Sequence, residues 1–151
     1  NTGATLKPRK RVADVMTITN STHSAAPRIL VVEDEIELST LLQTILNGEG
    51  YGVEQAYSLS DALHSIDDEV FDAAVLDVEL RDGGVFSVAD ALKARGIPFF
   101  FLSAVYKGVV PVAHRDVPFL SKPYEIEELK SYLTDTLGQR KSNRHSGHHN
   151  P

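Results

Sequence analysis

Apolar residues along this chain follow two rhythms that alternate between residues 28 and 137. Short unbroken runs appear as RILVV at 28–32, AAVL at 73–76, PFFFL at 98–102 and VPFL at 117–120, with a weaker GVEQA at 52–56. Unbroken runs of this length fit strands covered on both faces, as in a parallel sheet, whereas half-exposed strands alternate apolar and polar. Between the runs the spacing becomes helical. Ile36, Leu38, Leu41, Leu42 and Ile45 form one stripe, which should stop near Gly48 and Gly50, because glycine adopts the left-handed conformation that ends a helix. A second helix is predicted from Leu59 to about Asp68, with Ser58 and Asp61 placed to cap its start. A third covers 85–95, with Phe86, Ala89 and Leu92 on one face and Gly96 beyond its end. A last one carries Ile126, Leu129, Tyr132, Leu133 and Leu137. Strands alternating with helices predict βαβ units and a five-stranded parallel sheet wound on both faces.

The stretch at 104–116 breaks the pattern. A fourth helix belongs there, yet it holds Gly108, Pro111 and several β-branched residues. A proline inside a helix costs roughly 3 kcal/mol, so a short or irregular element in a mobile segment is expected. Outside the patterned region, 1–27 and 139–151 lack apolar periodicity and read as a disordered arm and a disordered tail around a domain at 28–138.

Charge sharpens this division. The chain carries −6 overall, but 28–137 holds 8 Lys and Arg against 20 Asp and Glu, a net −12, leaving basic ends. An acidic domain has no clustered cations for nucleic-acid phosphates, and no apolar run nears the roughly 18 residues that span a bilayer. The chain has no cysteine, which excludes disulfides, zinc–thiolate centres and thiol catalysis. These features predict a cytoplasmic protein that binds neither nucleic acid nor membrane.

Candidate chemistry sits where the strands end. In open parallel sheets ligands bind outside the carboxyl ends of the strands, and right-handed crossovers bring those ends to one rim. The first strand is followed by Glu33 and Asp34, the third by Asp77, the fourth by Ser103 and the fifth by Lys122. Three carboxylates held close repel one another unless a cation neutralises them. An oxygen-only donor set without His or Cys suits magnesium. Magnesium suits phosphoryl transfer, in which catalysis is largely positioning and charge neutralisation. Asp77 is then a candidate carboxylate nucleophile, Lys122 a point charge for a phosphoryl oxygen, and Ser103 a hydrogen-bond donor.

Four segments in order, RILVVEDE at 28–35, AAVLDVEL at 73–80, PFFFLSA at 98–104 and PFLSKP at 118–123, resemble the receiver domain of two-component response regulators, and in particular its stand-alone single-domain members. The resemblance implies a flavodoxin-like sheet with strand order 2-1-3-4-5. It implies that Asp77 accepts a phosphoryl group and that Asp34, Glu33 (through a water), Asp77 and the Glu79 backbone carbonyl hold Mg2+. Lys122, the Ser103 hydroxyl and the backbone amides of Val78 and Ala104 would then contact the phosphoryl group, and Ser103 with Phe119 would switch the protein-binding surface. The phosphoryl donor would be a phosphohistidine on a sensor histidine kinase or a histidine phosphotransfer protein. Output would go to a downstream protein target, with no output domain in the chain itself, as a monomer or a phosphorylation-dependent dimer. Two other readings stay open at this point: a receiver excised from a hybrid histidine kinase, and a phosphatase with an aspartate nucleophile. The first reading describes a signalling domain that labels and unlabels itself, not a turnover enzyme.

Overall fold

The computed structural model describes residues 25–82, 84–105 and 107–149, with the backbone alone for 140–149 and Lys107. Its elements run β1 (Arg28–Val32), α1 (Ile36–Gly48), β2 (Gly52–Ala56), α2 (Leu59–Asp68), β3 (Ala73–Asp77), α3 (Val85–Ala94), β4 (Phe99–Ser103), two single 3-10 turns (Lys107–Val109 and Val112–His114), β5 (Phe119–Ser121) and α4 (Ile126–His149). The five strands form one parallel sheet in the order β2-β1-β3-β4-β5.

Three of the four unbroken apolar runs become the central strands, and the fourth, at 117–120, runs into the edge strand β5. All five residues of β3 and of β4 are buried. Because successive side chains point to opposite faces, each strand feeds two cores. Phe99 and Phe101 of β4 pack with Leu30, Leu76 and the apolar stripes of α2 and α3. Phe100 and Leu102 pack with Ile29, Val75, Leu42 and Leu46 of α1 and Leu129 and Leu133 of α4. Thus α1 and α4 cover one face and α2 and α3 the other. The helix limits have local causes. Gly50, at φ 94°, ends α1 in the conformation that only glycine adopts cheaply. The Ser58 side chain accepts the Asp61 N–H at 3.0 Å at the start of α2.

Two expectations concern the less regular parts. The segment after β4 makes two 3-10 turns in place of a fourth helix, as Gly108 and Pro111 led us to expect. Buried side chains pin it. His114 is 3% exposed, stacks on Phe86 with centroids 6.1 Å apart, and places Nε2 2.9 Å from Asp90 Oδ1. The backbone is tied as well, since Lys93 Nζ donates to the Ala113 carbonyl and Arg115 Nε to the Val110 carbonyl, both at 2.7 Å. The last helix, in contrast, exceeds the sequence expectation. It continues to His149, through the stretch read as a disordered tail, and no proline interrupts 124–149 to stop its propagation. The predicted disordered arm lies outside the described residues except for 25–27.

Candidate functional site

Strand register assembles the site. Val32 pairs with Leu76, so Glu33 follows β1 level with Asp77 at the end of β3. Asp77 pairs with Leu102, which sets Ser103 just beyond it, and Ser103 pairs with Ser121, immediately before Lys122. The Lys122 N–H donates to the Ser103 carbonyl at 2.8 Å, holding the lysine at the rim. The loop after Asp77 is fastened to α2, where Asp82 Oδ2 accepts the Leu59 N–H at 2.7 Å. At the end of that loop, Gly84 lies so close to Leu59 that an added Cβ would stand 2.4 Å from its methyl group, so no larger residue fits without a shift.

These elements bring Glu33, Asp34 and Asp77 together, with one carboxylate oxygen of each within 4.8 Å of the others. They line a pocket of about 220 Å³ with Glu35, Glu79, Arg81 and Lys122. Lys122 Nζ stands 3.6 Å from Asp77 Oδ1, 3.8 Å from Glu33 Oε1 and 3.8 Å from Glu79 Oε1. Backbone amides fix the acids. The Glu35 N–H donates to Glu33 Oε2 at 3.0 Å, the Arg81 N–H to Asp34 Oδ2 at 2.7 Å and the Glu79 N–H to Asp77 Oδ1 at 3.0 Å.

The electrostatics call for a cation. Glu33 is 1% exposed, and its Oε1 has no hydrogen-bond partner. Burial pushes its carboxyl up to about 7, and the adjacent Asp77 adds to the rise against the Glu35 amide and Lys122. Two cations, Lys122 beside Glu33, Asp77 and Glu79 and Arg81 with Nε 4.0 Å from Asp34 Oδ2, do not neutralise these four carboxylates. Three clustered carboxylates with one unsatisfied buried oxygen fit a hard divalent ion such as magnesium, which takes oxygen ligands and retains waters.

The candidate residues stand as follows. Glu33, Asp34, Asp77 and Lys122 share the pocket. Ser103 is fully buried, and its hydroxyl donates to Glu79 Oε2, not to Asp77. The Ala104 N–H also donates to Glu79 Oε2, at 3.0 Å. Val78 is a correction. Its N–H donates to the Leu102 carbonyl at 2.9 Å because the β3–β4 ladder continues one residue past Asp77, and the amide that faces the Asp77 carboxylate is that of Glu79. Phe119 is half-buried and packs against the Phe99 and Phe101 core. The Glu79 side chain is the residue whose part the sequence did not reveal. Burial works to raise its pKa, but hydrogen bonds from Ser103, Ala104 and Val105 and the charge of Lys122 outweigh it, so the carboxyl lies below its ordinary value. An acid two positions past Asp77 was the available signal.

A family model described as the response regulator receiver domain matches residues 29–134. The chain belongs to the response regulator receiver family. This receiver is 32% identical over 114 residues to the transcriptional regulatory protein ZraR of Salmonella typhimurium, across 72% of the chain and 26% of that regulator. It superposes on the non-phosphorylated HemR receiver domain of Leptospira biflexa with a TM-score of 0.64 and 32% identity, covering 74% of this chain and 94% of that one. A third similar structure is the receiver domain of the sensor histidine kinase PA1611 of Pseudomonas aeruginosa, solved with a magnesium ion in its active-site cleft (TM-score 0.63, 25% identity, coverage 76% and 99%). The chain spans about a quarter to a half of the length of the curated relatives it matches. Among the described residues of the receiver, no helix is long and apolar enough to cross a membrane.

Proposed function

We propose that this receiver accepts a phosphoryl group on Asp77 in two-component signalling. The observation that carries the reading is the Asp77 carboxylate at the sheet rim, with Lys122 Nζ 3.6 Å from its Oδ1 and oxygens of Glu33 and Asp34 gathered within 4.8 Å. An Asp77 carboxylate oxygen forms a bond to phosphorus as the bond from phosphorus to the donor nitrogen breaks, and the electron pair leaves with the imidazole of a phosphohistidine. The donor would be a sensor histidine kinase or a histidine phosphotransfer protein. Glu33, Asp34, Asp77 and the Glu79 carbonyl would hold Mg2+, which supplies charge neutralisation for the transferring oxygens. Lys122 balances the added charge as a point cation beside the acceptor. Ser103 and Phe119 would pass the change on to a protein-binding surface facing a downstream target, whether the receiver acts alone or as a phosphorylation-dependent dimer.

The pocket favours this reading over turnover of phosphoesters. At about 220 Å³ it falls below the roughly 300–1,000 Å³ usual for small-molecule sites, and it accommodates an ion and a phosphoryl group. The test is stoichiometric. With magnesium and acetyl phosphate the chain should take up one phosphoryl group, while p-nitrophenyl phosphate hydrolysis stays at background. Sustained hydrolysis over many turnovers that Asp77→Asn abolishes would instead establish a phosphatase.

Magnesium binding should depend on pH through Glu33. Its carboxyl is raised from 4.5 to about 7, so between those values the folded chain holds a proton that the unfolded chain has released. In the metal-free protein this stabilising contribution is full below 4.5 and is lost as the pH rises through about 7. A metal must displace the same proton. Magnesium affinity is therefore expected to be about 25-fold weaker at pH 5.5 than at pH 7.5, measured by calorimetric titration. Equal affinity at the two values would contradict this assignment of Glu33.

A further inference from the structure

Glu79 is an exposed residue whose carboxylate is nevertheless folded back onto the rim. Its Oε2 accepts from the Ser103 hydroxyl, from the Ala104 N–H at 3.0 Å and from the Val105 N–H at 3.3 Å. Its Oε1 stands 3.8 Å from Lys122 Nζ. A hydroxyl, two amides and an ammonium make an anion site, and a carboxylate of the chain itself occupies it. Three of those donors, Ser103, Ala104 and Lys122, are groups that the reading above gives to the phosphoryl oxygens of phosphorylated Asp77.

We infer that the Glu79 side chain is a built-in competitor for the phosphoryl-oxygen site, and that it must swing out before Asp77 can be phosphorylated. The inference rests on Asp77 being the acceptor. Each part follows from the geometry. Glu79 is two residues from Asp77 and tethered by the same loop, so its carboxylate is present at a high effective concentration. A phosphoryl group on Asp77 needs the same donors, and two anions do not share one set of hydrogens. The incoming donor is itself anionic and is repelled while Glu79 lies inward. When only a fraction of molecules have the site open, the apparent affinity for the phosphodonor falls by that fraction. The Glu79 side chain is 35% exposed, so the outward route is open to solvent. The chemical step is unchanged: the Asp77 oxygen bonds to phosphorus, and the donor leaves with the electron pair of the broken bond.

The experiment compares wild type, Glu79→Ala and Glu79→Gln, with Asp77→Asn as the blank. Labelling is followed by intact mass over a range of acetyl phosphate concentrations in magnesium. Loss of a competitor predicts a half-saturating concentration about tenfold lower in Glu79→Ala. Glu79→Gln keeps the size but loses the charge facing Lys122, so a shift in the same direction is expected. It carries the test alone should Glu79→Ala melt below the assay temperature. A half-saturating concentration unchanged or raised overturns the inference, because Glu79 would then be neutral or would help by positioning Ser103. If wild type labels on Asp77 and the variant labels no more readily, only this inference falls. If no chain labels at all, the assignment of Asp77 falls and takes the inference with it.

Discussion

Replacing Lys122 by alanine is expected to slow labelling of Asp77 by acetyl phosphate roughly a hundredfold, the scale seen when one donor to a developing anionic centre is removed, and to break the link between phosphorylation and conformational change. Lys122 is the cation that stands against Asp77, Glu33 and Glu79 together, at 3.6, 3.8 and 3.8 Å. Without it the acceptor keeps the Glu33 and Asp34 carboxylates close by and loses the ammonium that stands against it, leaving in the pocket lining only Arg81, which stands 4.0 Å from Asp34. Magnesium still offsets part of the charge, so labelling is slowed, not abolished. The coupling should fail more completely. Lys122 follows Ser121 of β5 and donates its backbone N–H to the Ser103 carbonyl of β4, so its side chain joins the acceptor to the strand that bears Phe119. Amide chemical shifts recorded before and after labelling check this. Wild type should show changes across β4, β5 and α4, and Lys122→Ala should show them only around Asp77. The same pattern of shifts in both chains, or an unchanged labelling rate, would count against this role.

The second large effect concerns stability. Phe101→Ala should destabilise the domain by about 3–5 kcal/mol, the usual range for deleting a buried phenyl ring. Phe101 is fully buried at the centre of the sheet. Its ring meets Phe99 at 5.6 Å and Phe86 at 5.7 Å, both edge to face, and His114 at 6.3 Å. A cavity there removes contacts from β4, α3 and the 3-10 segment at once. Because a domain of this size is stable by only about 5–15 kcal/mol, urea denaturation should show the midpoint sharply lowered. The packing around His114 should loosen as well, visible as faster amide exchange near residue 114. A loss below about 1 kcal/mol would mean that this core is not the one described.

The elements differ in how readily the sequence announces them. The central strands were plain, because burial on both faces demands unbroken apolar runs, and 73–76 and 98–102 are short enough to read as strands, not helices. Their ends were displaced by about a residue: β3 reaches Asp77 and β4 reaches Ser103, since ladder hydrogen bonds continue into the polar residues that follow. The site acids were legible because the parallel topology sends every strand end to one rim, so Glu33, Asp34, Asp77, Ser103 and Lys122 could be gathered without coordinates. The side-chain hydrogen bonds between them were not legible. Nothing in the order of residues says that Glu79 would turn inward to Ser103 and Ala104, or that the Val78 amide would be used by Leu102. Those choices depend on rotamers and on how far the ladder extends. His114 was hidden for a similar reason. A histidine in a segment without periodicity has no pattern to mark it as buried, and it is the pocket between Phe86, Phe99 and Phe101 that takes it in. The last helix was underestimated because apolar spacing marks only the part that packs. Leu129 and Leu133 are buried in the core and Leu137 packs against it, while the polar turns beyond carry no stripe to read.

The shared pocket of Glu33, Asp34, Asp77 and Lys122 has one chemical consequence that can be weighed. After incubation with acetyl phosphate and magnesium, the intact chain should gain a single adduct of about 80 daltons, one phosphoryl group, and Asp77→Asn should gain none. A wild-type chain that stays at its original mass, or an adduct that persists undiminished in Asp77→Asn, would contradict the assignment.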